Sequence, residues 1–349
     1  MVDYIIVGLG LAGIAFCESL EKHNKSFVVF DNASNASSLV AGGMYNPVIL
    51  KRFTIAWRAP EQMEAATPFY KRLEQKLDVK LDYKLPVLRR FTSVEEQNLW
   101  FEAADRRQLE NFLNTKLVPN TNSSISAPYG YGEVLHTGRV DTSLLLHAYA
   151  SYLEKHERLY NQSFDYKLLQ IDEPFHYNGI LAKNIVFAEG FAMNQNPFFE
   201  YLPLDGTKGE LLTIKAPSLK LESILNAAVF IIPLGNDLYK VGATYDWKDK
   251  AYTCTPEAKK DILGKLNKLI NCPYKVINQE AGIRPTVKDR KPLIGVHPKH
   301  KNMFVLNGLG TRGVIIAPQV AAHLYAFIEN GNAIDKEMDV KRYEKLYQG

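Results

Sequence analysis

VDYIIVGLGLAGIAFCESLEKHNKSFVVFD, residues 2–31, is the stretch whose reading decides the fold. Tyr4 to Val7 is a short, continuously apolar run, as a strand buried on both faces of a parallel sheet should be. Gly8 to Gly13 reads as a turn. Ile14, Ala15, Cys17 and Leu20 then give a helix its buried side, with Glu18, Glu21 and Lys22 largely on the other. Phe27 to Phe30 is a second buried strand, ending at Asp31. In this βαβ unit Gly8 permits the tight turn, Gly10 lets the backbone approach a pyrophosphate, and Gly13 lets helix and strand pack closely. The helix N-terminus faces the phosphate charge. Asp31 is placed, at the expected spacing of about 20 residues, to accept hydrogen bonds from an adenosine ribose. The unit predicts a bound dinucleotide. Its acidic partner favours FAD or NAD over NADP and does not choose between them.

Outward from this unit, Ala56 to about Lys80 is amphipathic and helical, with Pro68 expected to kink or divide it. Ser93 with Glu96 is a capping box, and the pattern predicts helix as far as Asn114. Asp141 caps a helix through His156, and Thr255 caps one that begins with Pro256 and runs to Ile270. Ile185 to Ala188 and Met303 to Leu306 read as further buried strands, with a last helix from Gly313 to Glu329. Leu211 to Lys215, Ala227 to Pro233 and Leu238 to Thr244 read as a second sheet. The expected class is therefore α/β with an α+β second domain. Residues 1–50, 138–200 and 280–349 form a discontinuous, Rossmann-like cofactor domain, interleaved with a mixed or antiparallel substrate domain of residues 51–137 and 201–279.

At 349 residues the chain is long enough for two such domains. A net charge of +4 is small for this length and does not suggest a nucleic-acid binder by itself. Three widely spaced cysteines and no His/Cys cluster argue against a disulfide framework and a metal site. The apolar N-terminus lacks a basic leader, since Asp3 precedes the run and glycines punctuate it. No apolar stretch reaches the roughly 20 residues that span a bilayer, and the expected location is cytoplasmic.

Two more regions carry chemistry. SSLVAGGMYNP, residues 37–47, combines hydroxyls with the pair Gly42–Gly43 and suits a backbone passing close to a flat ligand. GIRPTVKDRKPLIG, residues 282–295, is followed by VLNGLGTRGVIIAP, residues 305–318. The latter again reads strand, glycine turn, helix, and the N-terminus at Gly313 can stabilise negative charge on a reduced flavin's N1–C2 edge. Arg284, between Ile283 and Pro285, can clamp a carboxylate in bidentate fashion, or serve in a structural ion pair.

The order of these motifs, together with GRVD at 138–141, VFAEG at 186–190 and KVGAT at 240–244, resembles the D-amino-acid oxidase family of flavoproteins. That family includes glycine oxidase, monomeric sarcosine oxidase and the oxidase domain of a bifunctional enzyme acting on tRNA wobble uridines. The resemblance implies FAD, held non-covalently, because no histidine or cysteine stands where flavinylated members attach it. It implies that Gly8, Gly10, Gly13 and Asp31 hold the ADP half, that Ser38, Gly42 and Gly43 follow the pyrophosphate towards the flavin, and that Gly190 shapes the turn after a cofactor-domain strand. Gly310, Thr311, Arg312 and Gly313 would surround the flavin's pyrimidine edge. Arg284 matches a substrate-carboxylate arginine, and Lys240 falls near a lysine that activates oxygen in some members. Tyr45, Arg52 and Tyr245 flank matched motifs and are candidate pocket liners. Glu189 departs from the family, which has a small or neutral residue there.

The activity implied is oxidation of a small amino acid or N-substituted amino acid at its C–N bond, by hydride transfer to flavin N5 and hydrolysis of the imine, with oxygen or a quinone as electron acceptor. Two alternatives stand beside it. One is oxidation of carboxymethylaminomethyl-uridine in tRNA, suggested by GLGTRG and the basic pairs Lys51–Arg52, Arg89–Arg90 and Arg106–Arg107. The other is an assembly protein that keeps FAD without catalysis.

Overall fold

The computed structural model describes residues 1–33 and 37–348. Strand Val2–Val7 sits mid-sheet, paired in parallel with Phe27–Asp31 on one side and Ile180–Phe187 on the other. Leu159–Asn161 extends the sheet beyond Phe27–Asp31, and Met303–Asn307 extends it beyond Ile180–Phe187, both in parallel. Leu293–Val296 and Phe175–Tyr177 add antiparallel strands. The four residues Tyr4 to Val7 are buried, as the unbroken apolar run requires of a central parallel strand.

Helices Leu11–Lys22, Thr142–Lys155 and Gly313–Asn330 cover one face, and their apolar sides share a core with Ile6, Val29, Val186 and Leu306. The opposite face carries an aromatic layer that includes Phe30, Phe175, Tyr177, Phe187 and Phe199. Period-two alternation explains the split, since neighbours such as Ile6 and Val7 point to opposite sides.

A second seven-stranded sheet runs in the order Lys275–Arg284, Thr207–Lys215, Leu238–Gly242, Phe230–Gly235, Ile224–Asn226, Val87–Arg90, Tyr131–Val134. Its pairings are antiparallel except that Ile224–Asn226 runs parallel to Val87–Arg90. Helix Pro256–Leu266 packs on one of its faces through Ile262 and Leu266. The chain is a mixed α/β fold in which segments of the two sheets alternate along the sequence.

Some boundaries differ from expectation. Helix Ala59–Leu77 passes through Pro68 undivided and packs against helix Gly313–Asn330. The helix capped by Ser93 ends at Ala104, because Asp105 to Gln108 are all exposed and offer no apolar side to continue the buried stripe. The chain goes on in tight turns that bury Leu109 and Leu113. Helix Pro256–Leu266 likewise stops short of Ile270, whose N–H closes a last turn on the Leu266 carbonyl.

Candidate active site

A single cavity of about 1510 Å³ runs from Asp31 and Ser163, past the turn Gly8–Ala12 and the segment Ser37–Asn46, to Arg284 and Arg312. Sites for one small ligand are roughly 300–1,000 Å³, so this one has room for a dinucleotide and a second molecule.

At one end the glycines are sterically obligatory. A Cβ on Gly13 would lie 2.0 Å from the Gly8 carbonyl oxygen. Gly8 itself has φ +97°, and a Cβ there would lie 2.6 Å from the Ala188 oxygen. Helix Leu11–Lys22 opens at Gly10 without a side-chain cap, which leaves its first N–H groups facing the cavity. Asp31 accepts from the Leu9 N–H at 3.2 Å and the Ala33 N–H at 2.9 Å, and burial raises its carboxyl above the usual range. A free helix end, a cradle only glycine can line and a sheltered carboxylate suit the pyrophosphate and ribose of FAD.

At the other end the two C-terminal motifs meet, with the Gly310 N–H bonded to the Pro285 carbonyl at 3.0 Å. Arg284 closes strand Lys275–Arg284 opposite Thr207. Its guanidinium lies flat on Gly209, where a Cβ would be 2.1 Å from Nη2. Its Cζ also lies over the Tyr245 ring, 4.4 Å from the ring centroid. The Arg284 side chain has no carboxylate partner among the described residues; its Nη1 reaches only the Thr244 carbonyl, at 3.5 Å. Burial lowers its pKa, as expected of a cation held without a counter-ion. Arg312 is similarly placed. It donates to the Asn46 carbonyl at 2.6 Å, and burial pushes its pKa down to about 10.

The family model for FAD dependent oxidoreductases matches residues 3–326. This chain belongs to the FAD-dependent oxidoreductase family. Glycine oxidase of Bacillus subtilis is 22% identical, over 94% of this chain and 93% of its own. A tRNA 5-methylaminomethyl-2-thiouridine biosynthesis bifunctional protein of Shewanella halifaxensis is 24% identical over 42% of this chain, which spans 29% of that longer protein. Among solved structures, glycine oxidase from Geobacillus kaustophilus superposes with a TM-score of 0.77 at 19% identity, covering 100% of this chain and 99% of that one. L-proline dehydrogenase from P. horikoshii gives 0.78 at 14% identity, covering 99% and 98%. The protein is an FAD-dependent oxidoreductase enzyme, and FAD is its cofactor.

In this oxidoreductase the cavity is lined by Gly8, Gly10, Asp31, Ser38, Gly42, Gly43, Gly190, Gly310, Thr311, Arg312 and Gly313, and by Arg284, Tyr245 and Tyr45. Gly13 stands just behind the turn. Two candidates lie elsewhere. Arg52 is exposed and outside the lining, to which its neighbour Lys51 contributes instead. Lys240 is not among the lining residues; its ammonium donates to the carbonyl of the lining residue Val40 at 3.0 Å and pairs with Glu280 at 3.4 Å. Tyr45 points its hydroxyl inward to Asp82, at 2.8 Å.

Other wall residues carry no motif. Trp247 and Lys250 come from the segment after Thr244, whose position is set by a buried Lys208 bonded to Asp249 at 2.6 Å. That is a tertiary ion pair, invisible to local pattern. Glu189, marked as a departure from the family, is buried in the wall and receives hydrogen bonds from Tyr166 and, at 2.7 Å, from Asn196. Burial raises its pKa to about 7. Among the described residues no group of acids, histidines and cysteines could hold a metal, and no helix is long and apolar enough to cross a membrane.

Proposed function

We propose that the enzyme oxidises a small amino acid or N-substituted amino acid at the carbon bearing nitrogen. The observation that carries this reading is Arg284, a half-buried guanidinium without an acidic partner among the described residues, on the wall of the cofactor cavity. Such a group recognises a planar anion in bidentate fashion, and a carboxylate is the one that small amines most often bear.

On this reading Gly8, Gly10, Gly13 and Asp31 hold the ADP half of FAD, with Ser38, Gly42, Gly43 and Gly190 along its middle. Gly310, Thr311, Arg312 and Gly313 surround the far end. Bound FAD supplies the hydride acceptor. Arg284 fixes the carboxylate and so orients the α C–H bond, while the Tyr245 ring steadies the guanidinium through a cation–π contact. As the hydride leaves, the nitrogen lone pair forms a C=N bond. Water then adds to this imine and releases a carbonyl compound and an amine. The two electrons pass on to oxygen or a quinone. Lys240, whose ammonium is tied to Val40 and Glu280, and Arg52, which is exposed, take no part in the redox step. We also place residues 1–50, 138–200 and 280–349 in the cofactor domain, and 51–137 with 201–279 in the substrate domain.

The test is a screen of glycine, sarcosine, proline and both enantiomers of common amino acids for anaerobic bleaching of the purified yellow protein. Bleaching with release of the matching carbonyl compound supports the reading; a flavin that no amine reduces refutes it and favours the assembly role.

A second reading, oxidation of a carboxymethylaminomethyl-uridine in tRNA, draws on Tyr245 and Trp247. These rings are 63% and 48% exposed at the cavity and could stack on a base. Salt-sensitive binding of tRNA would favour it, and no binding at low salt would remove it.

A further inference from the structure

The wall that carries Arg284 carries a second cation. Lys250 also lines the cavity, and its ammonium donates to the Gly206 carbonyl at 2.8 Å and the Trp247 carbonyl at 2.9 Å. An ammonium has three donors, so one remains for a ligand. The acids nearest in sequence are committed elsewhere. Asp249 is bonded to the buried Lys208, and Asp246 accepts the N–H groups of Lys248 and Asp249 at 2.7 and 3.0 Å. Lys250 therefore has no carboxylate partner among the described residues.

Its distance from Arg284 is set by strand Thr207–Lys215. Arg284 lies over Gly209, and Lys250 is tied to Gly206, the residue just before that strand. Three residues span at most about 10 Å, which bounds the separation of the two anchor points. With a charge-assisted contact of about 2.8 Å at either end, at most about 4 Å is left between the two acceptors. That is the span between the carboxylates of a four- or five-carbon diacid. Thr207 and Thr286, whose hydroxyls are 3.2 Å apart, line the same cavity and add polar groups to it.

We propose that Lys250 receives a second acidic group of the substrate, so that the enzyme selects dicarboxylic amino acids, with one carboxylate on Arg284 and the other on Lys250. The inference rests on the reading of Arg284 given above and narrows its substrate class. It explains why a loop pinned by a buried ion pair delivers a lysine to the cavity, where a neutral side chain would suffice for a monoacid.

The test compares aspartate and glutamate with alanine, each as both enantiomers, by anaerobic flavin reduction and kcat/KM, in the FAD-loaded wild type, Lys250→Met, Lys250→Arg and Arg284→Ala. The diacids should exceed alanine by at least tenfold in kcat/KM. That ratio should fall at least tenfold in Lys250→Met and recover in Lys250→Arg, with the flavin spectrum showing that each variant is folded. A wild type that prefers alanine, or a ratio unmoved in Lys250→Met while Arg284→Ala abolishes turnover, overturns this inference alone. A flavin that none of these amino acids, nor any other amine, reduces overturns the underlying reading with it.

Discussion

The guanidinium of Arg284 rests on the backbone of Gly209, in space that only the missing side chain leaves open. A Cβ at that position would lie 2.1 to 2.4 Å from Nη2, Nη1 and Cζ. Gly209→Ala should therefore displace Arg284 while leaving the cofactor end untouched. We expect kcat/KM for a carboxylate substrate to fall at least tenfold, about 1.4 kcal/mol or more, with KM bearing most of the loss. Steady-state kinetics beside a flavin spectrum check this. An unchanged KM would place the carboxylate elsewhere.

Gly13→Ala tests the opposite end. The added methyl would press on the Gly8 carbonyl, and backbone cannot swing aside as a flexible side chain can. Overpacking of this kind costs about 1–3 kcal/mol, here taken from the turn that receives the pyrophosphate. FAD should bind at least tenfold more weakly, as read by quenching of flavin fluorescence on titration. Equal affinity would contradict the placement of the ADP half.

Glu189 should make stability depend on pH. Burial raises its carboxyl from 4.5 to about 7, so the folded state binds the proton more tightly than the unfolded chain does. Stability contributed by the protonated form is complete below the unfolded value and is lost as pH rises to the folded one. Between those limits the loss is about 3 kcal/mol. Glu189→Gln, which keeps a donor and an acceptor for Tyr166 and Asn196, should flatten the melting temperature across that window. A wild-type profile that stays flat between pH 4.5 and 7 would contradict a Glu189 carboxyl whose pKa is raised by burial.

Lys240→Met separates anchoring from chemistry. The ammonium joins the second sheet to the carbonyl of Val40 and pairs with Glu280 within that sheet. Its removal should lower stability by about 1.5–3 kcal/mol, the range for hydrogen bonds to charged groups. Oxidation of the reduced enzyme by oxygen should change less than threefold in stopped-flow traces. A hundredfold fall would give Lys240 the oxygen-activating role that its sequence position suggests.

Legibility followed locality. Residues 2–31 could be read outright, because strand, turn, helix and acidic strand end are neighbours in sequence and their periodicities are unmixed. Arg284 and Arg312 were visible as motif residues, but the contact that unites them, Gly310 with Pro285, belongs to the folded chain. Lys250 and Trp247 had no signal at all, since an ion pair between Asp249 and Lys208, far apart in sequence, decides where their segment lies. Arg52 shows the reverse case. It flanks a motif, yet the turn that follows Ile49 sends it to solvent.

The central claim is that Arg284 receives the substrate carboxylate beside bound FAD. Anaerobic stopped-flow reduction of Arg284→Ala by the best amino acid from the screen tests it most directly. The account predicts a flavin bound as in the wild type and a substrate dissociation constant raised at least a hundredfold, about 2.7 kcal/mol. Reduction with wild-type rate and affinity would contradict it.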